Sequence, residues 1–301
     1  MDIFFKEVEE REIGRIVYDV PLSKYTTYKV GGNARAIIYP KGRRELVELC
    51  KLIKANNIKY KILGNGSNLL FSDDLYDGVL IKLDEFDKIE FVRNKVICGA
   101  GASLMRVARE AMKKGLSGLE FASGIPGSIG GAIYMNAGAY KSDMGYITTN
   151  VTVLTDDLKI ITLTNAEMDF HYRSSYLQKH KDYICLEAVL KLTKGDRKQI
   201  EEVVRERRER RVESQPLEYP SAGSVFRNPE GMFAGKLIED LGLKGLTKGG
   251  AEVSLKHANF VVNKENATAK DIHDLIMFVH DAVLDKYGVD LKIEQEFVNW
   301  E

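Results

Sequence analysis

Two glycine-rich segments carry the residue types best suited to holding an anionic ligand. The first is residues 64–68 (GNGSN), and the second is residues 123–131 (SGIPGSIGG). Glycine permits a positive φ and a close approach of the backbone to a ligand, and successive backbone N–H groups in such turns bind phosphate. Each segment follows an apolar stretch that we expect to form a strand or the end of one. Together they predict a ligand with a long phosphate-bearing body, such as a dinucleotide cofactor.

The two common phosphate-binding motifs do not describe these segments. The first segment lacks the Lys-Ser/Thr ending of a P-loop, and it does not open a helix with the G-x-G-x-x-G spacing of a dinucleotide site. A plain tight turn is an alternative for the first segment, and close packing between elements is an alternative for the second.

Three further clusters combine groups that bind charge or transfer protons. They are residues 172–175 (YRSS), residues 221–229 (SAGSVFRNP) and the pair Glu294 and Glu296. Taken singly, each cluster is more typical of a surface or helix-capping role. The five histidines form no metal-ligand pattern, so the sequence predicts no metal site.

The bulk composition indicates the class of protein that must position these groups. The 301 residues are 44% hydrophobic and 29% charged, which is ordinary for a soluble globular protein of two or three domains. The 44 basic and 44 acidic side chains balance to zero net charge, which argues against a general nucleic-acid or membrane-surface binder. No apolar run approaches the ~20 residues of a membrane span. Acidic residues interrupt the N-terminus, so we expect no signal peptide there.

The cysteines indicate a reducing compartment. Cys50, Cys98 and Cys185 are scattered among apolar residues and form no C-x-x-C pair. We therefore expect three buried, reduced thiols and a cytoplasmic protein.

Hydrophobic periodicity predicts helices and strands in three lobes, at residues 1–80, 81–196 and 197–301. Residues 199–213 form a highly charged helix that we interpret as a solvated face, because glutamates interleave its arginines. The other predicted helices cover residues 43–56, 104–114, 235–241 and 268–287. Predicted strands cover residues 60–63, 78–83, 89–92, 95–98, 151–154, 159–163, 183–192, 257–263 and 293–300.

Six separated motifs resemble those of the UDP-N-acetylenolpyruvoylglucosamine reductases, flavoenzymes of peptidoglycan precursor synthesis. They follow the family's order over nearly the whole chain. The run from Gly242 to Asn263 has no room for the tyrosine-bearing loop of the longer form, so the chain resembles the shorter form. The motifs are YTTYKVGGNA at 25–34, GNGSNLL at 64–70, SGIPGSIGGAIYMNAGAY at 123–140, YRSS at 172–175, QPLEYPSAGSVFRNP at 215–229 and GGAEVSLKHANFVVN at 249–263.

The resemblance implies a fold and a reaction. The fold is α+β: a two-lobed FAD-binding module of the vanillyl-alcohol-oxidase/PCMH type, then a C-terminal α+β substrate-binding domain whose tail returns to the active site. In the reaction, NADPH reduces FAD, which reduces the enolpyruvyl ether of UDP-N-acetylglucosamine-enolpyruvate to UDP-N-acetylmuramate. Neither glycine segment holds His or Cys, so we expect non-covalent FAD. We also expect a monomer with no nucleic-acid or membrane partner.

The family's catalytic residues match Arg173, Ser224 and Glu294. Hydride addition places negative charge on a carboxylate, which the planar guanidinium of Arg173 suits. The Ser224 hydroxyl matches the proton donor to C2. The acidic stabiliser matches Glu294, and Glu296 stays an alternative because the tail departs from the expected pattern. Ser221 is assigned to loop structure.

The same match implies the binding residues. Arg227 stands where we expect lysine, so phosphate binding should persist with a different geometry. Expected substrate contacts are Tyr134, Asn136, Arg227, Asn228, Lys236 and His257. For Tyr134 and Asn136 a contact with the cofactor is an alternative. Expected cofactor contacts are Tyr28, Gly31, Gly64, Asn65, Gly66, Ser67, Asn68, Leu70, Gly101, Ser123, Gly124, Ile125, Pro126, Gly127, Ser128, Gly130 and Gly131.

Two other functions stay open from the sequence. An FAD-linked oxidase shares the glycine segments but does not need Arg173, Ser224 and a C-terminal glutamate together. A UDP-sugar or nucleotide sensor without redox function belongs to a different class, and the presence of all three catalytic candidates argues against it.

Overall fold

A computed structural model describes residues 1–300, which form a mixed set of helices and strands. This mixture confirms the predicted α+β class. The helices are α1 (Asp2–Glu10), α2 (Arg43–Ala55), α3 (Leu104–Lys113), α4 (Ile129–Tyr134), α5 (Met144–Ile147), α6 (Tyr176–Lys179), α7 (Arg197–Ser214), α8 (Ala234–Asp240) and α9 (Ala269–Tyr287). The strands are β1 (Gly14–Pro21), β2 (Asn33–Pro40), β3 (Tyr60–Ile62), β4 (Leu69–Phe71), β5 (Tyr76–Ile81), β6 (Ile89–Val92), β7 (Lys95–Gly99), β8 (Leu116–Ser117), β9 (Gly138–Ala139), β10 (Ser142–Asp143), β11 (Thr148–Leu154), β12 (Ile160–Thr164), β13 (Ile184–Lys191), β14 (Thr193–Lys194), β15 (Thr247–Lys248), β16 (Ala251–Val253), β17 (Val261–Asn263) and β18 (Glu296–Val298).

The chain divides into two compact units. Unit 1 comprises Met1–Tyr18, Ala36–Asn65 and Gly78–Glu209. Unit 2 comprises Asp19–Arg35, Gly66–Asp77 and the described chain from Arg210 onward. The division into three lobes expected from the sequence, at residues 1–80, 81–196 and 197–301, stays a prediction.

Unit 1 is built around a five-stranded antiparallel sheet with the order β12-β11-β13-β7-β6. Its core side chains include Val151 and Val153 of β11 and Ala188 and Leu190 of β13, all fully buried. The four-stranded sheet has the order β1-β2-β5-β3, and β3 lies parallel to β5. Two short antiparallel pairs, β8 with β14 and β9 with β10, complete the unit.

Unit 2 has its own core beneath the long helix α9. Thr268 and Asp271 begin α9 with a reciprocal capping box, and Gly288 ends it in the left-handed conformation at φ 66°. The buried face of α9 carries apolar residues at helical spacing, and α9 contacts each strand of the antiparallel sheet β15-β16-β17. The C-terminal strand β18 lies parallel to β4.

The structure confirms several helices and strands that were predicted from hydrophobic periodicity. The helix predicted over 43–56 is α2, and the strands predicted over 89–92 and 95–98 are β6 and β7, which form an antiparallel hairpin. The helix predicted over 104–114 is α3, and Ser103 caps it, because the Ser103 hydroxyl accepts from Arg106 N. The charged helix is α7, whose one buried residue is Ile200, which confirms a solvated face.

Two local predictions are wrong. Only Val261–Asn263 of the strand expected over 257–263 is a strand. Ser254 Oγ accepts from His257 N at 3.3 Å, and His257 Nδ1 accepts from Asn259 N at 3.2 Å, so side chains take the donors that a strand would use. The second glycine segment follows a 3-10 helix at Glu120–Ala122 rather than a strand.

The cysteines are unpaired and buried, as expected, and burial raises the pKa of each thiol. Across residues 1–300, no helix combines the length and apolar character that crossing a bilayer requires. Over the same range, no three His, Cys, Asp or Glu side chains gather where they would hold a metal ion.

Candidate active site

The first glycine segment begins in unit 1, just after β3. The buried ammonium of Lys82 donates to Gly64 O at 2.9 Å. Within residues 1–300, the backbone N–H groups of Gly64 and Asn65 find no acceptor. The turn therefore presents unpaired N–H donors beside a cation, an arrangement that suits an anion.

The second glycine segment meets the first in unit 1. A Cβ placed on Gly64 would lie 2.9 Å from Ser128 Oγ. Ser128 also caps α4, since its hydroxyl accepts from Gly131 N at 3.3 Å. Among the described residues, no acceptor pairs with the N–H of Gly124 or Ser128. The structure thus brings both segments together, and each adds unpaired N–H groups.

Glycine serves two different purposes in these cofactor candidates. A Cβ on Gly101 would lie 1.8 Å from Leu83 O, and one on Gly130 would lie 3.1 Å from Ala100 Cβ. These two glycines allow close packing inside unit 1. A Cβ on Gly127 would have no neighbour within 4 Å, so Gly127 leaves open space that a ligand can fill.

The other members of the second segment differ in exposure. Ser123 Oγ donates to Glu120 O at 2.9 Å, which fixes the preceding 3-10 turn. Ile125 is partly buried and Pro126 is exposed. Their predicted contacts with the cofactor stay predictions.

The rest of the first segment belongs to unit 2. Gly66 has φ 62°, and a Cβ there would lie 2.1 Å from Tyr25 O, so both conformation and packing require glycine. The Ser67 side chain has no hydrogen-bond partner within the described part of the chain and is partly exposed. Leu70 is fully buried in β4, so its side chain serves the core.

Tyr28 and Gly31 belong to unit 2, where Tyr28 lies in the core and Gly31 is partly exposed. The Tyr28 ring is fully buried, and its hydroxyl donates to Gln295 Oε1 at 3.0 Å. Burial also raises the pKa of Tyr28. Gly31 has φ 113°, which favours glycine. The cofactor contacts predicted for both residues stay predictions.

Arg173 lies in unit 1 on strained backbone. Its φ is 54°, an uncommon conformation for a residue with a side chain, and such strain concentrates at functional sites. Its Nη2 donates to Gly138 O at 2.9 Å. The guanidinium also lies 5.0 Å from the centroid of the Tyr172 ring. These contacts fix the cation at a partly exposed position.

Asn136 and Tyr134 hold the segment that carries Arg173. Asn136 is 1% exposed, its Nδ2 donates to His171 O at 2.8 Å, and its Oδ1 accepts from Gly145 N at 2.8 Å. Tyr134 O accepts from Ser175 Oγ at 2.7 Å. The structure therefore gives Asn136 and the Tyr134 carbonyl a positioning role, and their predicted substrate contacts stay predictions.

Ser224 and Glu294 come together in unit 2. Glu294 N donates to Val225 O at 2.7 Å, and on the other side Val225 N donates to Asn259 O at 2.9 Å. The Asn259 side chain clamps Phe226, because its Oδ1 accepts from Phe226 N at 2.9 Å and its Nδ2 donates to Phe226 O at 2.8 Å. Ser224 is thus held on a segment bonded from both sides.

Asn68 joins the first glycine segment to the same tail within unit 2. Its Nδ2 donates to Glu294 O at 3.0 Å, and its backbone carbonyl accepts from Glu296 N at 2.9 Å. A predicted cofactor contact and a predicted catalytic residue are therefore neighbours.

Arg227 and Asn228 follow directly after the Ser224 segment. Arg227 N donates to Lys292 O at 2.8 Å. Its Nε is buried and has no partner within residues 1–300, which suits an anionic ligand. Asn228 Oδ1 accepts from Ala234 N at 3.1 Å, at the start of α8.

Lys236 and His257, both predicted substrate contacts, differ in whether their polar groups already have a partner. Lys236 is exposed and pairs with Asp240, whose hydrogen bond raises the pKa of Lys236. Burial, followed by the charge of Lys244, lowers the pKa of His257. Because His257 Nδ1 accepts a hydrogen bond, the neutral ring carries its proton on Nε2, which is left as a donor.

Three residues with structural roles at these groups were not among the predicted site residues. They are Lys82 behind Gly64, Asn259 across from Phe226, and Gln295 beneath the Ser224 turn. Asn259 lies inside the 249–263 motif, and Gln295 lies between Glu294 and Glu296, which were the available signals.

Comparison with known families matches two parts of the chain. Residues 34–164 match the model of an FAD binding domain. Residues 215–298 match the model of the UDP-N-acetylenolpyruvoylglucosamine reductase C-terminal domain.

Whole-chain relatives agree with these matches. The UDP-N-acetylenolpyruvoylglucosamine reductase of Bacillus licheniformis is 45% identical over 299 residues, which is 99% of both chains. The enzyme of the same name from Bacillus subtilis is 44% identical with the same coverage. The crystal structure of UDP-N-acetylenolpyruvylglucosamine reductase from Thermus caldophilus is similar with a TM-score of 0.80 and 36% identity, covering 95% of this chain and 98% of that one.

The two kinds of glycine predict different effects on substitution. Gly127→Ala should change the free energy of unfolding by less than about 0.5 kcal/mol but weaken FAD binding about tenfold, because its methyl group enters the open space. Gly101→Ala should lower the free energy of unfolding by roughly 3 kcal/mol, because the methyl group collides with backbone. Denaturant melts of the flavin-free protein and FAD titrations separate the effects. Unchanged FAD affinity in Gly127→Ala would remove that glycine from the binding surface.

Proposed function

The chain belongs to the UDP-N-acetylenolpyruvoylglucosamine reductase family, and on this premise we propose which of its residues carry the reaction. It is a flavin-dependent oxidoreductase in which NADPH reduces FAD, and FAD passes a hydride to UDP-N-acetylglucosamine-enolpyruvate to give UDP-N-acetylmuramate for peptidoglycan synthesis. The observation that carries the proposal is the hydrogen bond from Glu294 N to Val225 O, which places two candidate catalytic residues on adjoining segments.

The cofactor's pyrophosphate is held by unpaired backbone N–H groups in this proposal. Gly64, Asn65, Gly124 and Ser128 supply such groups in unit 1. The Lys82 ammonium lies beside Gly64 O and is also paired with Asp84 at 3.3 Å, so it contributes part of its charge. Backbone N–H groups that the fold already holds in place lose little conformational freedom when a ligand binds. Four such groups suit the negatively charged oxygens of a pyrophosphate.

Arg173 stabilises the carboxylate of the substrate. Addition of hydride to the enolpyruvyl alkene spreads negative charge onto that carboxylate. A fixed cation aimed at developing charge lowers the barrier without reorganising during the reaction. The positive φ of Arg173 and its bond to Gly138 O support this fixed placement.

Ser224 then donates a proton to C2 of the substrate. The electron pair left at C2 accepts the hydroxyl proton, which forms the new C–H bond. The Ser224 hydroxyl is partly exposed and has no partner among residues 1–300, so it is available to donate. We assign Ser221 to the structure of the loop.

Glu294 is the acidic stabiliser in this scheme, either as a protonated hydrogen-bond donor to the developing charge or through a water molecule. Its backbone lies one residue from Ser224 through the bond to Val225 O. Glu296 instead begins β18 and pairs with Leu69 of β4. This difference favours Glu294 over Glu296.

The diphosphate of the UDP-sugar is bound by cations and donors in unit 2. Arg227 has a buried Nε without a partner in the described chain, and His257 has a free Nε2 donor. Lys236 and Asn228 lie at the start of α8 and complete this group. The guanidinium of Arg227 suits a phosphate oxygen pair.

We propose that the enzyme is a monomer, which sedimentation equilibrium tests. Unpaired Cys50, Cys98 and Cys185 support a reducing compartment, for which we propose the cytoplasm. Cell fractionation that finds the protein elsewhere would contradict it.

Replacing Arg173 by lysine tests the carboxylate role. Arg173→Lys should slow reoxidation of the reduced flavin by the enolpyruvyl substrate about 100-fold, because a point charge does not replace the planar fork. Flavin reduction by NADPH should change less than about twofold. Stopped-flow absorbance measures both half-reactions. Near-wild-type reoxidation would remove Arg173 from the mechanism.

Replacing Ser224 by alanine tests the proton donor. Ser224→Ala should slow the second half-reaction by about 10³-fold while leaving reduction by NADPH nearly intact. Ser221→Ala is the matched control, since it removes a hydroxyl from the same loop and should behave as wild type. Equal losses in both half-reactions of Ser224→Ala would contradict the role.

A further inference from the structure

We infer that Gln295 is a positioning residue for proton transfer, because its buried amide holds the turn that carries Ser224. The inference rests on the proposed role of Ser224. Gln295 directly follows Glu294, so one short stretch of the C-terminal tail fixes both catalytic candidates in unit 2.

The Gln295 amide nitrogen faces a row of backbone carbonyls. Nε2 lies 3.3 Å from Ala222 O, 3.2 Å from Gly223 O and 3.5 Å from Ser224 O. Gln295 is 4% exposed, so water does not readily replace it. Within residues 1–300, these three carbonyls have no other donor. Ala222 is buried, whereas Gly223 and Ser224 are partly exposed. Leaving a buried carbonyl unpaired is costly, so the Ala222 carbonyl above all depends on this NH2 group.

Tyr28 fixes which way the amide points. Its hydroxyl donates to Gln295 Oε1 at 3.0 Å. A flipped amide would place Oε1 against three carbonyl oxygens, which repel it, so the orientation is unambiguous. Burial raises the pKa of Tyr28, which keeps the hydroxyl protonated as a donor.

The Tyr28 ring is itself held in place. It is fully buried, and Tyr28 O accepts from Asn263 Nδ2 at 3.1 Å. Thr26 Oγ1 donates to Val30 O at 2.9 Å, which closes the loop around the tyrosine. The chain of contacts therefore runs from a rigid loop through Gln295 to the Ser224 turn.

The side chains of Asn259 and Gln295 bind different parts of the segment 222–226. Asn259 holds Val225 and Phe226, whereas Gln295 alone holds residues 222–224. Gly223 has φ 77°, so the turn is sharp just before Ser224. Loss of the Gln295 amide should therefore loosen the Ser224 turn while Asn259 keeps the following residues in place.

Gln295→Met tests the inference, because methionine fills a similar volume without hydrogen bonding. We expect reoxidation of the reduced flavin by the enolpyruvyl substrate to slow about 10- to 100-fold, since misplacement of a reacting group by ~1 Å costs that much. The KM for the substrate and the rate of reduction by NADPH should each change less than about threefold. The solvent deuterium isotope effect on reoxidation should rise as proton transfer becomes limiting. An equal loss in both half-reactions would overturn the inference.

Tyr28→Phe removes only the contact that orients the amide. It should slow reoxidation less than Gln295→Met, by about 3- to 10-fold. Because both residues act on the same turn, the double variant should be no slower than Gln295→Met alone. Multiplied losses in the double variant would contradict a single connected arrangement.

A double-mutant cycle that combines Gln295→Met with Ser224→Ala separates this inference from the proposed function. If Gln295 acts through Ser224, Gln295→Met should slow Ser224→Ala by less than about twofold. Wild-type reoxidation in Ser224→Ala alone would overturn the proposed proton donor and this inference with it. Impaired Ser224→Ala beside wild-type Gln295→Met would overturn the inference alone.

Hydrogen–deuterium exchange of the holoenzyme gives a readout that does not depend on turnover. Gln295→Met should speed exchange in peptides covering residues 222–227, whereas peptides from α9 should exchange as in the wild type. Asn299→Asp is the matched control, because it alters an amide in the same tail that donates to Ser72 Oγ and Leu75 O. Faster exchange throughout unit 2 in Gln295→Met would show general loosening and overturn the inference.

Discussion

Irregular backbone must find hydrogen-bond partners outside helices and sheets, and in this protein side-chain amides supply them beside each candidate catalytic residue. In unit 1, Asn136 bonds both His171 O and Gly145 N next to the Arg173 segment. In unit 2, Asn259 clamps Phe226, and Gln295 faces the carbonyls before Val225. An amide offers a donor and an acceptor in one plane, so one side chain satisfies both kinds of backbone group. The remaining geometry of the candidate site depends on these bonds.

This constraint explains why the reactive side chains lie on loops without being loose. A loop lets Arg173 adopt φ 54° and lets Gly223 adopt φ 77°, neither of which a helix or strand permits. The same freedom would cost catalytic precision if the segments moved, since effective alignment requires fixed reacting groups. Buried amides therefore preserve the unusual conformations while removing the motion.

The helices and strands that depend mainly on neighbouring residues were predicted well from the sequence. Helices α2 and α3 and the β6–β7 hairpin follow from periodicity, a serine cap and a short turn, all of which are local. The prediction was wrong at residues 257–260, where the Ser254 hydroxyl and the His257 ring compete with neighbouring strands for backbone donors. The glycine motifs located both segments, but not which glycine packs against backbone and which borders open space. That distinction depends on atoms distant in sequence, such as Tyr25 O beside Gly66.

The positioning residues were harder to predict than the reactive ones for a related physical reason. Chemistry restricts residue type, so an arginine, a serine and a glutamate in a recognisable order are informative even before folding. Holding a backbone requires only a donor or acceptor in the right place, and many residue types at many positions supply one. Tyr28 and Gln295 are 267 residues apart and meet only after both segments enter one core. In the sequence, Gln295 resembles a solvated tail residue, and only burial against three carbonyls reveals what its amide does.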